Sequence, residues 1–451
     1  MTLHFENRHD HVQSIIEAAL DAADPAGAVR RHLRRDGRQL LIGEHRYDLD
    51  RGRVFLIAAG KAALSMGRTA LDILQDELAA GVIITKQTEP GQPRRYTATV
   101  GGRAAVAVYE ASHPVSDESS VRATAAAIDL LEETAPGDLV LCLISGGASA
   151  LLTQPHIALE QWQRLTQALL ESGCTINELN SVRKQLDNVK GGGLARLAAP
   201  AATVSLILSD VVGNPLDVIG SGPTAANPES PAEALTVLHR YHIAGVLIPE
   251  VWKSVIDRLT NPRSVTSLAR FEELEVENVI IGDVHIAANA AADAARQLGF
   301  DDRFLTAHLQ GEAREVGRVA AALARDAPTG ACLLLGGETT VTVHGEGTGG
   351  RNQELALSAA ISLADAHELA LATFATDGED GVTDAAGAIV TGQTAPRAEA
   401  AGLNPQEYLE ENDSYNFFLN LEKETGRDYL IRTGPTGTNV NDLLIILSYE
   451  Q

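Results

Sequence analysis

Short apolar runs alternate with stretches in which apolar positions recur at helical spacing along most of the chain. Residues 54–58, 81–85, 105–109, 139–144 and 203–208 are predicted strands, and residues 61–78 and 117–133 are predicted helices between them. Strand alternating with helix argues for an α/β fold with a mostly parallel sheet covered on both faces. Ligands of such sheets sit beyond the carboxyl ends of the strands. The pattern changes over residues 222–262, where Pro223, Pro228, Pro231 and Pro249 precede a helical stretch. A domain boundary is therefore expected near residue 245, giving domains 1–245 and 246–451. A second α/β set follows, with strands at 279–281, 331–335 and 371–375 and a helix at 285–298.

The densest candidate chemistry lies at residues 336–354. A predicted strand at 339–344 runs into Gly345, Gly347, Gly349 and Gly350, and a helix opens at Arg351 with Asn352, Gln353 and Glu354 in its first turn. Backbone N–H groups and a helix N-terminus in that order suit a bound anion, and a phosphorylated ligand is expected here. A plain strand-turn-helix connection is the competing reading. Gly345, Gly347 and Gly350 also fit the dinucleotide fingerprint, with Asp377 as the ribose acid. The polar first turn argues against that, and a lone fingerprint is weak.

Two further turns have the strand-glycine-helix form. Ser145, Gly146, Gly147 and Ser149 follow the run at 139–144, where glycines admit a phosphate and the hydroxyls donate to it, although a tight turn without ligand has the same sequence. Lys61 follows Gly60 in an expected first helical turn, a position unfavourable for a cation unless an anion compensates. Asn180, Arg183 and Lys184 share a helix face, with Lys190 nearby, and read either as a clamp for carboxylate or phosphate or as a solvated basic face. Asp210, Asp283 and Asp377 each end an apolar run, where a carboxylate holds Mg²⁺, takes a proton from a hydroxyl, or merely caps a helix. Thr438 and Asn439 lie in a loop of turn formers between predicted strands at 429–431 and 443–447, read as a ligand loop or a long hairpin connection.

Composition narrows the partners. The 451 residues carry a net charge of −24, which repels nucleic acid and anionic membrane, so neither is expected as a partner. An anionic substrate would need local cations. Hydrophobic residues make up 45% and aromatics only 4%, with 40 glycines, as suits a tightly packed α/β protein with sharp loops. Cys142, Cys174 and Cys332 are far apart, so buried thiols are expected rather than disulfides or metal ligands. The charged start of the chain lacks an apolar signal core, no run is long enough to span a bilayer, and a cytoplasmic protein is expected.

Taken together, the segments 113–118, 145–152, 180–195, 209–224, 336–355, 376–384 and 434–443 resemble, in order, the glycerate 2-kinases whose C-terminal half is a MOFRL domain. The resemblance implies a Rossmann-like N-terminal domain, a C-terminal α/β domain and an active site in the cleft between them. It implies ATP- and Mg²⁺-dependent phosphorylation of D-glycerate to 2-phosphoglycerate, with catalytic roles falling on Lys61 and Arg351. Ala148 and Asn214 depart from the family pattern, where glycine and aspartate are frequent. On this reading Ser145, Gly146, Gly147, Ser149, Asn180, Arg183, Lys184, Lys190, Asn352 and Glu354 bind substrate or phosphate. Gly347, Gly349, Gly350, Thr438 and Asn439 bind nucleotide, and Asp210 and Asp377 take the metal. An NAD(P)H-dependent hydroxypyruvate reductase and a non-catalytic sugar-acid or nucleotide sensor are the alternatives, and a homodimer stays open.

Overall fold

The structure, a computed structural model, describes residues 3–87, 94–100, 104–261 and 271–450. It divides into two compact units. One comprises Ala28–Ser209 and Asn214–Ile281; the other comprises Met1–Gly27, Asp210–Gly213 and Gly282–Gln451.

The first unit is built on a seven-stranded sheet in the order Val276–Gly282, Ala202–Leu208, Leu139–Ile144, Val54–Ala59, Leu78–Lys86, Ala104–Ala111, Arg95–Val100. The five strands from Ala202–Leu208 to Ala104–Ala111 are mutually parallel, and Arg95–Val100 closes one edge antiparallel. Val54–Ala59 and Leu139–Ile144 are buried at every position, which is why these strands read as unbroken apolar runs. Their register aligns Ala59 with both Ile84 and Ile144, and Ile144 with Ile207. The turns that follow these strands therefore share one edge of the sheet. A separate three-stranded antiparallel sheet over residues 33–48 had no clear apolar signature.

The proline-rich stretch does not separate the units. Helices Pro231–Arg240 and Pro249–Thr260 pack with Leu159–Glu171 and Ile176–Gln185 around Trp162, Leu165, Val182, Leu238 and Val255. The expected boundary near residue 245 thus falls inside one hydrophobic cluster, and the chain changes units between Ile281 and Gly282. Proline here starts helices, at the position where its missing N–H costs nothing. Residue 262, the end of that stretch, lies outside the described residues.

The second unit holds a six-stranded sheet in the order Asp301–Leu309, Ala331–Gly337, Asp442–Ser448, Leu369–Ala375, Gly387–Thr391, Leu430–Ile431. Only the first pair is parallel. The last strand of the chain, Asp442–Ser448, inserts antiparallel between Ala331–Gly337 and Leu369–Ala375. The parallel expectation holds for the first unit; in the second, where the sequence indicated only an α/β arrangement, the sheet is mostly antiparallel, and a strand buried on both faces reads the same in either direction. The strand expected at 339–344 is absent. Beyond Gly337 only an isolated bridge from Glu312 to Thr340 forms, and the Glu312 carboxylate accepts from the Thr342 hydroxyl and amide.

Candidate active site

In the first unit, the turns after Val54–Ala59 and Leu139–Ile144 are laced together. Lys61 N–H donates to Gly146 O at 2.8 Å, Ser145 N–H to Ala59 O at 3.0 Å, and Ala62 N–H to Ser145 Oγ at 3.1 Å. Gly60 sits at φ 131°, and a Cβ there would lie 2.1 Å from Ser145 Oγ, so glycine is required for the two turns to approach. Lys61 precedes helix Ala63–Leu74, is exposed, and has no carboxylate partner among the described residues. Lys61, Ser145, Gly146 and Gly147 are thus brought to one place, beyond the carboxyl ends of parallel strands.

Ser149, Asn180 and Arg183 also converge. Ser149 Oγ lies 2.7 Å from Ser221 Oγ, which donates to Asn180 Oδ1 at 3.2 Å. Ser221 is held at φ 64°, an uncommon conformation for a side-chain-bearing residue and frequent at functional sites. Arg183 Nη2 donates to Ser149 O at 2.8 Å, its guanidinium lies over Trp162, and its Nε is buried without a hydrogen-bond partner. No ion pair forms on Arg183 among the described residues, which leaves it able to meet an anion.

Lys184 and Lys190 have other work. Lys184 Nζ, fully buried, lies 2.7 Å from Asp217 and 3.0 Å from Glu229. Lys190 Nζ donates to Ser149 O at 2.7 Å and Leu152 O at 2.9 Å, and burial pushes it down to about 7. Both lysines anchor the protein's own chain, so neither fits the anion-clamp expectation.

In the second unit the centre is Arg351. Its Nε donates to Asp442 Oδ2 at 2.5 Å and its Nη2 to Oδ1 at 2.7 Å, while Nη1 faces Glu338 Oε1 at 3.5 Å. The register places Asp442 between Gly337 and Ala375, so Glu338, Asp442 and Asp377 emerge at one edge. Asn441 Nδ2 donates to Asp210 O at 2.7 Å and lies 3.4 Å from Glu338 Oε2. Asp377 is half-buried, with one oxygen accepting from Glu379 N–H. Glu338, Asn441 and Asp442 lie in segments the sequence marks as candidates, but none of the three is itself indicated there as a ligand. The only sign of Asp442 was a carboxylate standing at the mouth of an apolar strand, and its partner is 91 residues away.

The glycine-rich loop packs closely on its own chain. Gly347 N–H donates to Glu411 O, Thr348 N–H to Asp413 Oδ1, and His344 and Gly345 N–H both to Asn412 Oδ1. A Cβ at Gly347 would lie 2.4 Å from Asp413 Cβ, one at Gly349 2.2 Å from Ser414 Oγ, and one at Gly350 2.3 Å from Asp380 Cγ. These glycines let the loop pack on its own chain. The N-terminus of helix Arg351–Ser362 is likewise filled: the Asp380 carboxylate accepts from the N–H groups of Asn352 at 3.1 Å and Gln353 at 2.8 Å. The anion at this helix end is the protein's own.

Asn352 is buried and accepts from the Thr373 hydroxyl at 2.5 Å; Glu354 is buried against Arg314 at 2.9 Å and Asn412 at 2.8 Å. Thr438 donates to Ala23 O at 2.7 Å, and Asn439 Oδ1 accepts from Asn441 N–H. Asn352, Glu354 and Thr438, expected to touch ligand, are engaged with the protein's own chain. Asp283 takes the cap role, accepting from Ile286 N–H at 2.8 Å. Cys142 and Cys332 are buried free thiols, as expected, with burial pushing each up to about 12.

Comparison with known proteins bears on this arrangement. Residues 11–256 match a family described as a domain of unknown function, DUF4147, and residues 331–442 match the MOFRL family. The chain is 40% identical over 440 residues to D-glycerate 2-kinase of Thermotoga maritima, an alignment covering 96% of each chain. The chain belongs to the glycerate 2-kinase family with a C-terminal MOFRL domain. A crystal structure of glycerate kinase from Thermotoga maritima superposes with a TM-score of 0.82 at 39% identity, covering 98% of this chain and all of that one. The family also includes a protein of Agrobacterium vitis named putative hydroxypyruvate reductase, 38% identical over 97% of this chain and 93% of that protein. Among the described residues, no helix is long and apolar enough to cross a membrane.

Proposed function

We propose that this chain is a cytoplasmic glycerate 2-kinase that transfers the γ-phosphoryl group of ATP to the C2 hydroxyl of D-glycerate, giving 2-phosphoglycerate. The observation that carries the reading is family membership at 40% identity over nearly the whole chain, joined to Lys61, which has no carboxylate partner among the described residues, and forked Arg351, each beside strand-end turns. Phosphoryl transfer asks a protein mainly for positioned cations around a developing charge and an aligned hydroxyl. Lys61 and Arg351 stabilise the transferring group, and Arg183 holds the glycerate carboxylate, which its planar fork matches.

Mg²⁺ fits the residues present. Asp377 offers a half-exposed carboxylate with one oxygen uncommitted, and Asp210 stands beside Asn441. Among the described residues no cluster of three or more His, Cys, Asp or Glu forms a metal cage. That suits an ion held by one or two carboxylates and completed by nucleotide phosphates. Bound there, the metal would neutralise charge on the β- and γ-phosphates.

The reductase name carried by one relative makes a second assay worthwhile. The dinucleotide fingerprint at Gly345, Gly347 and Gly350 gives that alternative little support, since its amides and α-carbons pack on residues 411–414 and Asp380. The deciding experiment incubates the protein with ATP, Mg²⁺ and D-glycerate and identifies the product by NMR. 2-Phosphoglycerate supports the proposal, and 3-phosphoglycerate overturns its regiochemistry. Absence of both, with NADH or NADPH oxidised by hydroxypyruvate, overturns it in favour of the reductase.

A further inference from the structure

We propose that His113 contacts the acceptor substrate, its neutral imidazole accepting the hydrogen bond of the glycerate hydroxyl that becomes phosphorylated. This inference rests on the kinase reading above and extends it to a residue outside the lysine–arginine pair.

The placement comes from the sheet. His113 lies two residues beyond strand Ala104–Ala111, which runs parallel to Leu78–Lys86 and ends at the same edge as the Lys61 and Ser145 turns. A Cβ built on Gly147 would lie 3.1 Å from His113 Cδ2, 3.2 Å from His113 Nε2 and 3.2 Å from Lys61 Cγ. The imidazole edge and the lysine stem therefore close over the same α-carbon, in the turn that follows Leu139–Ile144. Any side chain at Gly147 would displace one of them.

The ring is also uncommitted. His113 is half-buried and makes no hydrogen bond among the described residues. By contrast, His11 is bonded to the Tyr449 hydroxyl and His32 to Ala28 O. The charged groups acting on it are Lys61 and Lys86; with burial they push the imidazole down to about 4. At neutral pH it carries a proton on one ring nitrogen and a lone pair on the other. Such a group sits beside an ammonium without repelling it, and the lone pair can take a hydroxyl proton that neither Lys61 nor Arg351 is able to accept.

The step balances simply. The glycerate hydroxyl oxygen bonds to the γ-phosphorus, the bond from that phosphorus to the β–γ bridging oxygen breaks, and ADP leaves with the electron pair. The hydroxyl proton passes to the imidazole and from there to solvent. Lys61 serves the phosphoryl oxygens, and His113 fixes the direction of attack.

The test compares wild type, His113→Ala and His113→Gln in steady-state phosphorylation of D-glycerate by MgATP, with product identified by NMR and folding checked by melting temperature. The expected result is a kcat about 10²-fold lower for His113→Ala, with the KM for ATP within roughly twofold of wild type. His113→Gln, whose amide oxygen restores the hydrogen bond that orients the hydroxyl but cannot take its proton, should recover at most about tenfold of that loss and stay well below wild type. A His113→Ala kcat within roughly threefold of wild type overturns the proposal, as does a defect confined to either KM. So does a folded His113→Gln no better than alanine, which would leave the ring a packing role over Gly147. Should His113→Ala not fold, a His113→Gln kcat below wild type at unchanged KM for ATP supports the proposal and wild-type kcat overturns it. Failure of wild type itself to make phosphoglycerate is a separate result and removes the kinase reading.

Discussion

Arg351 and Asp442 form a two-bond fork, Nε to Oδ2 and Nη2 to Oδ1, that leaves Nη1 turned towards Glu338 at 3.5 Å. Arg351 is the first residue of its helix, where a cation meets the positive end of the helix dipole. The Asp442 carboxylate offsets that repulsion and fixes the plane of the fork. Asp442→Asn removes the charge and keeps the shape. It should lower kcat about 10- to 100-fold with little change in KM for glycerate, and Arg351→Lys should do the same because an ammonium cannot reproduce a bidentate grip. Steady-state kinetics on both variants checks this; wild-type turnover in either would separate the pair from the reaction.

The same pair sets a pH dependence. Burial raises the Asp442 carboxyl to about 7, with Asp380 and Glu338 pushing the same way and Arg351 opposing. A carboxyl whose folded value exceeds its unfolded one makes the fold gain stability as pH falls from above 7 towards the ordinary carboxylate range. Protonation simultaneously weakens the fork. Activity is therefore expected to fall through about pH 7 on the acid side while the contribution of Asp442 to stability rises. kcat and melting temperature measured from pH 5 to 9 should show these opposite trends in wild type. Asp442→Asn should lose both, and a variant that keeps the acid limb would assign it to another group.

Lys61 makes a contrasting prediction, because its ammonium pairs with no carboxylate among the described residues. It is exposed and unpaired among the described residues, while the turn it sits in is held by main-chain bonds to Gly146 and Ser145. Lys61→Ala should lower kcat on the order of 10²–10³-fold and leave the melting temperature unchanged. Unchanged turnover would remove Lys61 from the transition state.

How much of this was legible follows from where each signal resides. Val54–Ala59 and Leu139–Ile144 announced themselves, because strands buried on both faces must be apolar throughout. The turn glycines and Lys61 after them were equally plain. The direction of Asp442–Ser448 was not, since an apolar run carries no arrow. The loop at residues 344–350 is ambiguous in sequence for a physical reason. Glycine is needed wherever backbone approaches closely, and the sequence does not say whether the neighbour is a phosphate or, as here, Glu411 and Asp413. Asp380 fills the N-terminus of the helix at Arg351 from nearly 30 residues downstream, so local sequence made that helix end look vacant. Lys184 and Lys190 were rightly singled out as unusual, but their acid and carbonyl partners are set by tertiary folding alone.

Lys184 accordingly predicts a stability effect. Its fully buried ammonium neutralises Asp217 and Glu229, whose side chains are 25% and 22% exposed. Replacing it with Met removes the cation and leaves two carboxylates close together at the edge of the helical cluster. Breaking a buried pair from one side costs about 3–5 kcal/mol, and partial exposure of both acids argues for the lower end. Lys184→Met should lower the denaturant midpoint accordingly, whereas the double substitution with Asp217→Asn should recover part of the loss by removing one of the stranded charges. The KM for glycerate of the folded fraction should stay near wild type, because Lys184 faces Asp217 and Glu229 rather than ligand. If instead Lys184→Met keeps wild-type stability and loses glycerate affinity, the lysine belongs to the substrate site after all, and the two acids are its resting partners.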